Sequence, residues 1–139
     1  MFLRGVLAFG LILSTALFAT NASAAGDAKK GKKVFKKCKA CHTLDAGKHK
    51  IGPSLAGIIG RKAGTADGFT KYKALKGADF VWDDDNIAEW IIDQKKFLKG
   101  KGLPTKTSMK VKIKKEKDRK NLLAYLKSRR SEERRVGKE

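Results

Sequence analysis

Cys38-Lys39-Ala40-Cys41-His42 constrains this chain more than any other stretch. Two cysteines two residues apart, followed at once by a histidine, form the attachment pattern of a c-type haem. The spacing has a chemical reason. Two thiols must add to two vinyl groups on neighbouring pyrroles of one porphyrin, and a helical turn with two intervening residues sets the sulfurs roughly that far apart. His42 is then carried under the iron, where a neutral imidazole can be the proximal ligand. Two other readings of Cys-x-x-Cys compete. A zinc site wants a second Cys/His pair, and beyond the motif the chain holds one histidine, His49, and no further cysteine. A thioredoxin-like dithiol wants a βαβ setting, which is absent here.

A chain of 139 residues, less a leader, suits one small domain. Such a domain builds a modest protein core, so a large apolar macrocycle would supply much of the buried surface. Lys and Arg number 33 against 14 Asp and Glu, a formal net charge of +19. That charge says nothing about fold. It points to a partner with an acidic surface, or to nucleic acid or anionic lipid. The chain lacks interleaved exposed aromatics and any fold signature of nucleic-acid binding, so no nucleic acid is expected.

Residues Met1 to about Ala25 read as an export signal. Arg4 is its charged start, Val6 to Phe18 its apolar run, and Ala22-Ser23-Ala24 an A-x-A cleavage site. The alternative is a retained anchor, but the apolar run is short for a span of about 20 residues. Cleavage leaves no stable membrane insertion and removes one positive charge. It divides the chain into a leader, 1–25, a domain, 26–130, and a tail, 131–139. The tail has one apolar residue, Val136, and is expected to be disordered or non-native.

Asp27 is placed to cap a helix running to about Ala40. Val34, Phe35 and Cys38 give it one apolar stripe, and lysines cover the rest. Residues 43–80 carry many glycines and keep no period for long. A loop of that length is unusual unless it wraps something, and Ile51, Leu55, Ile58, Ile59 and Phe69 would be its contacts to a haem. Asp83-Asp84-Asp85 opens a second helix, with Ile87, Trp90 and Ile91 on one face, stopped by Gly100 and Gly102. A polar loop leads to Met109. A last helix spans about Lys115 to Ser128, with Leu122, Tyr125 and Leu126 as its face. Met109 is the only methionine besides Met1. On the residues alone a core methionine is the better reading, although its lysine-flanked polar loop has no evident core role.

With these residues in view, the chain resembles the class I cytochromes c from Gly26 to about Lys127. The motifs that carry the resemblance are Gly-Lys-Lys-Val-Phe before Cys-x-x-Cys-His, then Gly-Pro-Ser-Leu, Gly-Arg-Lys-Ala-Gly, a Trp before the next helix, Thr-x-Met, and Leu-Leu-Ala-Tyr-Leu. The resemblance implies an all-α fold, three to five helices and long loops wrapped around one covalent haem c. It matches Gly31, Phe35, Leu122 and Tyr125 to the crossing of the first and last helices. It matches Met109 to the sixth iron ligand, with His49 as the rival. The carbonyl of Pro53 would orient His42, and Arg61, Trp82 and Thr107 would neutralise or bond a haem propionate.

Four positions depart from the mitochondrial pattern. Trp90 stands where a Tyr usually reaches toward the Met ligand, and an indole donates but does not accept. Tyr72 lies one residue beyond its usual spacing, Val111 replaces a Phe at the haem edge, and the loop from Phe97 to Met109 is longer than usual. The function implied is that of a monomeric, periplasmic one-electron carrier, not an enzyme. It would run between a cytochrome bc-type complex and a terminal oxidase, a photosynthetic reaction centre or a periplasmic reductase. Lys39, Lys50, Lys106, Lys110 and Lys112 would ring the haem edge and dock on acidic surfaces of these membrane complexes. A haem peroxidase or a five-coordinate sensor is the enzyme-like alternative, and it would need an open iron face.

Overall fold

Among the described residues, aspartates start three of the four helices. In the computed structural model, which describes residues 25–137, α1 is Ala28–Phe35, α2 Asp84–Ile92, α3 Gln94–Gly100 and α4 Glu116–Val136. Asp27, Asp83 and Asp93 each accept a backbone N–H three residues on, from Lys30, Asn86 and Lys96, at 3.0, 2.8 and 3.0 Å. Each thereby satisfies a donor that the first helical turn leaves orphaned. α4 has no side-chain cap, but Glu116 and Asp118 lie in its first turn, at the positive end of its dipole. No strand forms among the described residues, only an isolated antiparallel bridge between Lys62 and Val81. The fold is all-α, as expected.

Three helix boundaries differ from the sequence expectation. α1 ends at Phe35, not near Ala40, because the chain tightens into turns. Cys38 N bonds Phe35 O at 2.8 Å, three residues back, before His42 N bonds Cys38 O at 2.9 Å. The second expected helix is two helices, broken at Asp93, whose backbone is extended (φ −159°, ψ 105°). The last helix continues past Ser128 to Val136, so 131–136 are helical where disorder is expected. The leader through residue 24, with its cleavage site, and the last two residues lie outside the described residues.

α1 crosses α4 without a spacer. A Cβ added to Gly31 would stand 1.9 Å from the Asn121 carbonyl oxygen and 2.7 Å from Tyr125 Cβ. Only a residue without a side chain fits there. The Phe35 and Tyr125 rings meet at 5.5 Å beside this crossing, and Leu122 and Leu126 are buried below it. The four residues assigned to this contact from sequence do meet there. The long segment 43–80 is held to the start of α2 by backbone bonds, Gly60 N to Trp82 O at 2.7 Å and Trp82 N to Arg61 O at 2.8 Å. Trp82 stacks on Phe97 and meets Trp90 edge-on, giving an aromatic wall between loop and helices.

Candidate haem-binding site

α1, α2, α4, the 43–80 segment and the loop 106–111 line a cleft of about 410 Å³, a volume within the usual range for small-molecule and cofactor sites. Its walls are mostly apolar, with Phe35, Ile58, Ile87, Ile91, Leu122 and Leu126 among them. Cys38, Cys41, His42, Pro53, Arg61, Trp82, Trp90, Thr107 and Met109 all line it. Nine positions singled out in the sequence, spread over more than half the chain, therefore share one cavity.

His42 is oriented on both sides. Its Nδ1 lies 2.7 Å from the Pro53 carbonyl oxygen. A carbonyl only accepts, so Nδ1 carries the proton and Nε2 is bare. Gly52 lets the ring come close, since a Cβ there would stand 2.3 Å from His42 Cε1. Burial lowers the pKa of this imidazole; the bond to Pro53 opposes that and the nearby charge of Arg61 adds to it. A neutral ring with a free Nε2 is the form that binds a metal.

Cys38 and Cys41 form no disulfide. Burial, the largest influence, pushes Cys38 up to about 11. A redox dithiol relies on a thiolate with a depressed pKa, so this environment opposes the dithiol reading.

Met109 Sδ lies 3.0 Å from Trp90 Nε1, which donates to it. Met109 N donates to Thr107 Oγ1 at 3.1 Å. Thr107 thus holds the methionine backbone as well as lining the cavity. His49, the rival ligand, is not among the lining residues. Its Nδ1 accepts from Ser54 N at 3.0 Å, so its Nε2 must donate to Asp67 O at 2.7 Å. Both nitrogens are used in joining two loops.

The residues fit a haem. Arg61 donates to Ala56 O and Ser54 O through its two terminal nitrogens, while its Nε is buried with no hydrogen-bond partner. A cationic group with an unmet donor at an apolar cavity suits an acidic substituent such as a propionate. Tyr72 also lines the cavity, and its hydroxyl accepts from Ala66 N at 3.0 Å. That leaves its own proton to donate.

The five docking lysines do not stay together. Lys106 and Lys110 line the cavity mouth, joined by Lys37, Lys71 and Lys73, which the sequence reading missed. For Lys71 and Lys73 the signal was present as the pair flanking Tyr72. Lys39 and Lys50 are exposed outside the lining, with Lys50 Nζ donating to Lys39 O at 2.6 Å. Lys112 Nζ pairs with the Asp93 carboxylate at 2.5 Å. Gln94, which also escaped notice, is 2% exposed and donates to Val111 O at 2.7 Å.

An all-α shell with an apolar cleft, two thiols, a free imidazole nitrogen and a thioether defines a class: small haem proteins that tether the cofactor through sulfur. A family profile described as Cytochrome c matches residues 28–130. Cytochrome c2 of Rhodopseudomonas palustris is 44% identical, the match covering 83% of this chain and 92% of that one. Cytochrome c of Gibberella zeae is 42% identical, covering 75% and 95%. The solved cytochrome c2 structure from Rhodospirillum centenum superposes with a TM-score of 0.65 at 39% identity, covering 74% of this chain and 98% of its own. The chain belongs to the cytochrome c family, in its class I group. It carries one covalently bound haem c and is an electron carrier, not an enzyme. Among the described residues, no helix is long and apolar enough to cross a membrane.

Proposed function

We propose a periplasmic, monomeric one-electron shuttle in which Cys38 and Cys41 form the thioether bonds and His42 and Met109 are the axial ligands. One convergence supports this: two thiols, the bare Nε2 of His42 and the sulfur of Met109 line the same apolar cavity. When bound, the haem iron supplies a one-electron couple whose potential the protein tunes. The chain's own residues do the rest. Apolar walls exclude water, Pro53 O keeps His42 in one tautomer, and Arg61 offers its unmet N–H to an acidic group. With His42 and Met109 both holding the iron, no substrate would need the metal. The donor is a cytochrome bc-type complex, and the acceptor a terminal oxidase, a photosynthetic reaction centre or a periplasmic reductase. Lys106 and Lys110, with Lys37, Lys71 and Lys73, form the centre of the docking surface. Lys39 and Lys50 flank it, and Lys112 contributes less because Asp93 holds it. Small, short-lived contacts suit such turnover.

The test has two parts. Acid–acetone should leave the haem on the protein, and mass spectrometry should show one haem on a chain beginning near Ala25 or Gly26. Haem that extracts freely would overturn the covalent assignment. Met109→Ala should lower the reduction potential and open the iron to added ligands, because a thioether favours the reduced state. His49→Ala should do neither. An unchanged potential in Met109→Ala would move the sixth ligand elsewhere.

A further inference from the structure

Three contacts tie the chain just after Met109 to one point, the break between α2 and α3. Gln94 Nε2 donates to Val111 O at 2.7 Å. Ile113 N donates to Ile91 O at 2.7 Å. Lys112 Nζ meets the Asp93 carboxylate at 2.5 Å. Their helix-side partners, Ile91, Asp93 and Gln94, fall within four consecutive residues.

The break makes the tie possible. In a continuous helix the Ile91 carbonyl would accept from the residue four positions on. The extended backbone at Asp93 interrupts that ladder, and Ile91 O accepts from Ile113 N instead. Asp93 caps α3 and pairs with Lys112 through the same carboxylate. Of the two side-chain ties, the Asp93 pair is solvent-exposed and so contributes little. Gln94 is different. It is 2% exposed, and the amide bond it makes lies out of water. A buried amide has to be hydrogen-bonded, so its partner is held firmly. That partner, Val111, is two residues beyond Met109. Upstream, the Thr107 hydroxyl accepts from Met109 N, and Trp90 donates to the sulfur itself.

We infer that Gln94 is a positioning residue for Met109: by holding the Val111 carbonyl, it keeps the methionine sulfur within bonding reach of the iron and resists its displacement. This rests on Met109 being the sixth ligand. Lys106 and Lys110 also line the cavity and stand ready to compete when the loop loosens.

The experiment uses the oxidised holoprotein and imidazole as the probe of an opened sixth site. Gln94→Met keeps side-chain length and removes the donor, and Gln94→Leu serves if that variant does not fold. Asn121→Leu is the control for general destabilisation. Asn121 is likewise a buried amide, but it accepts from Asp27 N at the α1–α4 contact. Removing the Gln94 bond should raise imidazole affinity about three- to tenfold, the effect of one neutral hydrogen bond. It should also weaken the near-infrared sulfur–iron band at neutral pH. Asn121→Leu should unfold more easily yet keep both properties. Gln94 variants that bind imidazole no better than the wild type would overturn the positioning role, as would an equal change in Asn121→Leu. Failure of the underlying ligand assignment looks different: the wild type itself would lack the band, and Met109→Ala would bind imidazole no better than it.

Discussion

Trp90 reaches the sulfur of the proposed sixth ligand without being a ligand itself. Its side chain is 8% exposed and its indole meets Trp82 and Phe97. That packing aims Nε1–H at Met109 Sδ. An indole N–H can only donate, so the contact always draws electron density from the sulfur. If Met109 is the sixth ligand, as proposed, a sulfur that gives less density to iron would favour the reduced state. Trp90→Phe should therefore lower the reduction potential in a potentiometric titration, while the near-infrared band survives. A potential equal to that of the wild type would show that the N–H does not act on the ligand. The donor role of Trp90 is legible from residue type alone. Its partner is not, because Met109 lies 19 positions away in sequence and only the path of the chain brings the two together.

Among the helices, the α1–α4 crossing leaves no room for a side chain at Gly31. Gly31→Ala would drive a methyl group into the Asn121 carbonyl. Helix propensity favours alanine over glycine, so propensity and packing pull in opposite directions. Overpacking a tight contact costs about 1–3 kcal/mol, more than the propensity gain of roughly 1 kcal/mol. Gly31→Ala should lower the midpoint of denaturant unfolding, whereas Lys32→Ala, one position along on the exposed face, should stay within about 0.5 kcal/mol. A stabilised Gly31→Ala would mean that the helices can separate without loss. The break at Asp93 also belongs to this scale. The run from Asp84 to Leu98 contains neither Pro nor Gly and reads as one element. What divides it is the pairing of Ile91 O with Ile113 N before the break and of Gln94 Nε2 with Val111 O after it, a gain that local propensity does not contain. The Asp93 carboxyl is held below its usual range, chiefly by its bond to Lys112. Its contribution is whole at neutral pH and fades as acid protonates it.

Across the whole molecule, a net charge of +19 sets long-range behaviour, but the fold decides where that charge counts. The cavity mouth gathers Lys37, Lys71, Lys73, Lys106 and Lys110 from three separate segments. Opposed charges feel each other over about 30 Å at 0.01 M salt and about 10 Å at 0.1 M. Association with a membrane redox partner should therefore slow steeply as salt rises. Lys106→Glu or Lys110→Glu should lower the association rate and flatten that dependence. Lys29→Glu or Lys117→Glu, outside the cavity lining, should do less. Stopped-flow oxidation of the reduced protein across a salt series gives the comparison, and equal effects at all four positions would assign the steering to net charge.

The haem motif, the Asp27 cap, the acidic start of the second helix, the glycine at the helix crossing and the candidate ligands His42 and Met109 were legible in the chain before any folding was known. Each is written within a few residues or in a pattern that the family resemblance matches, because thioether spacing, cap geometry and close approach are short-range demands. The tertiary structure alone decided the rest. It divided one expected helix at Asp93, extended the last helix to Val136 and paired Lys112 with Asp93. It also committed both nitrogens of His49 to loops and set Gln94 behind the methionine segment. These outcomes depend on which distant segments compete for the same carbonyl, carboxylate or N–H. No local stretch of sequence records that competition, because its terms are settled only when the chain has packed.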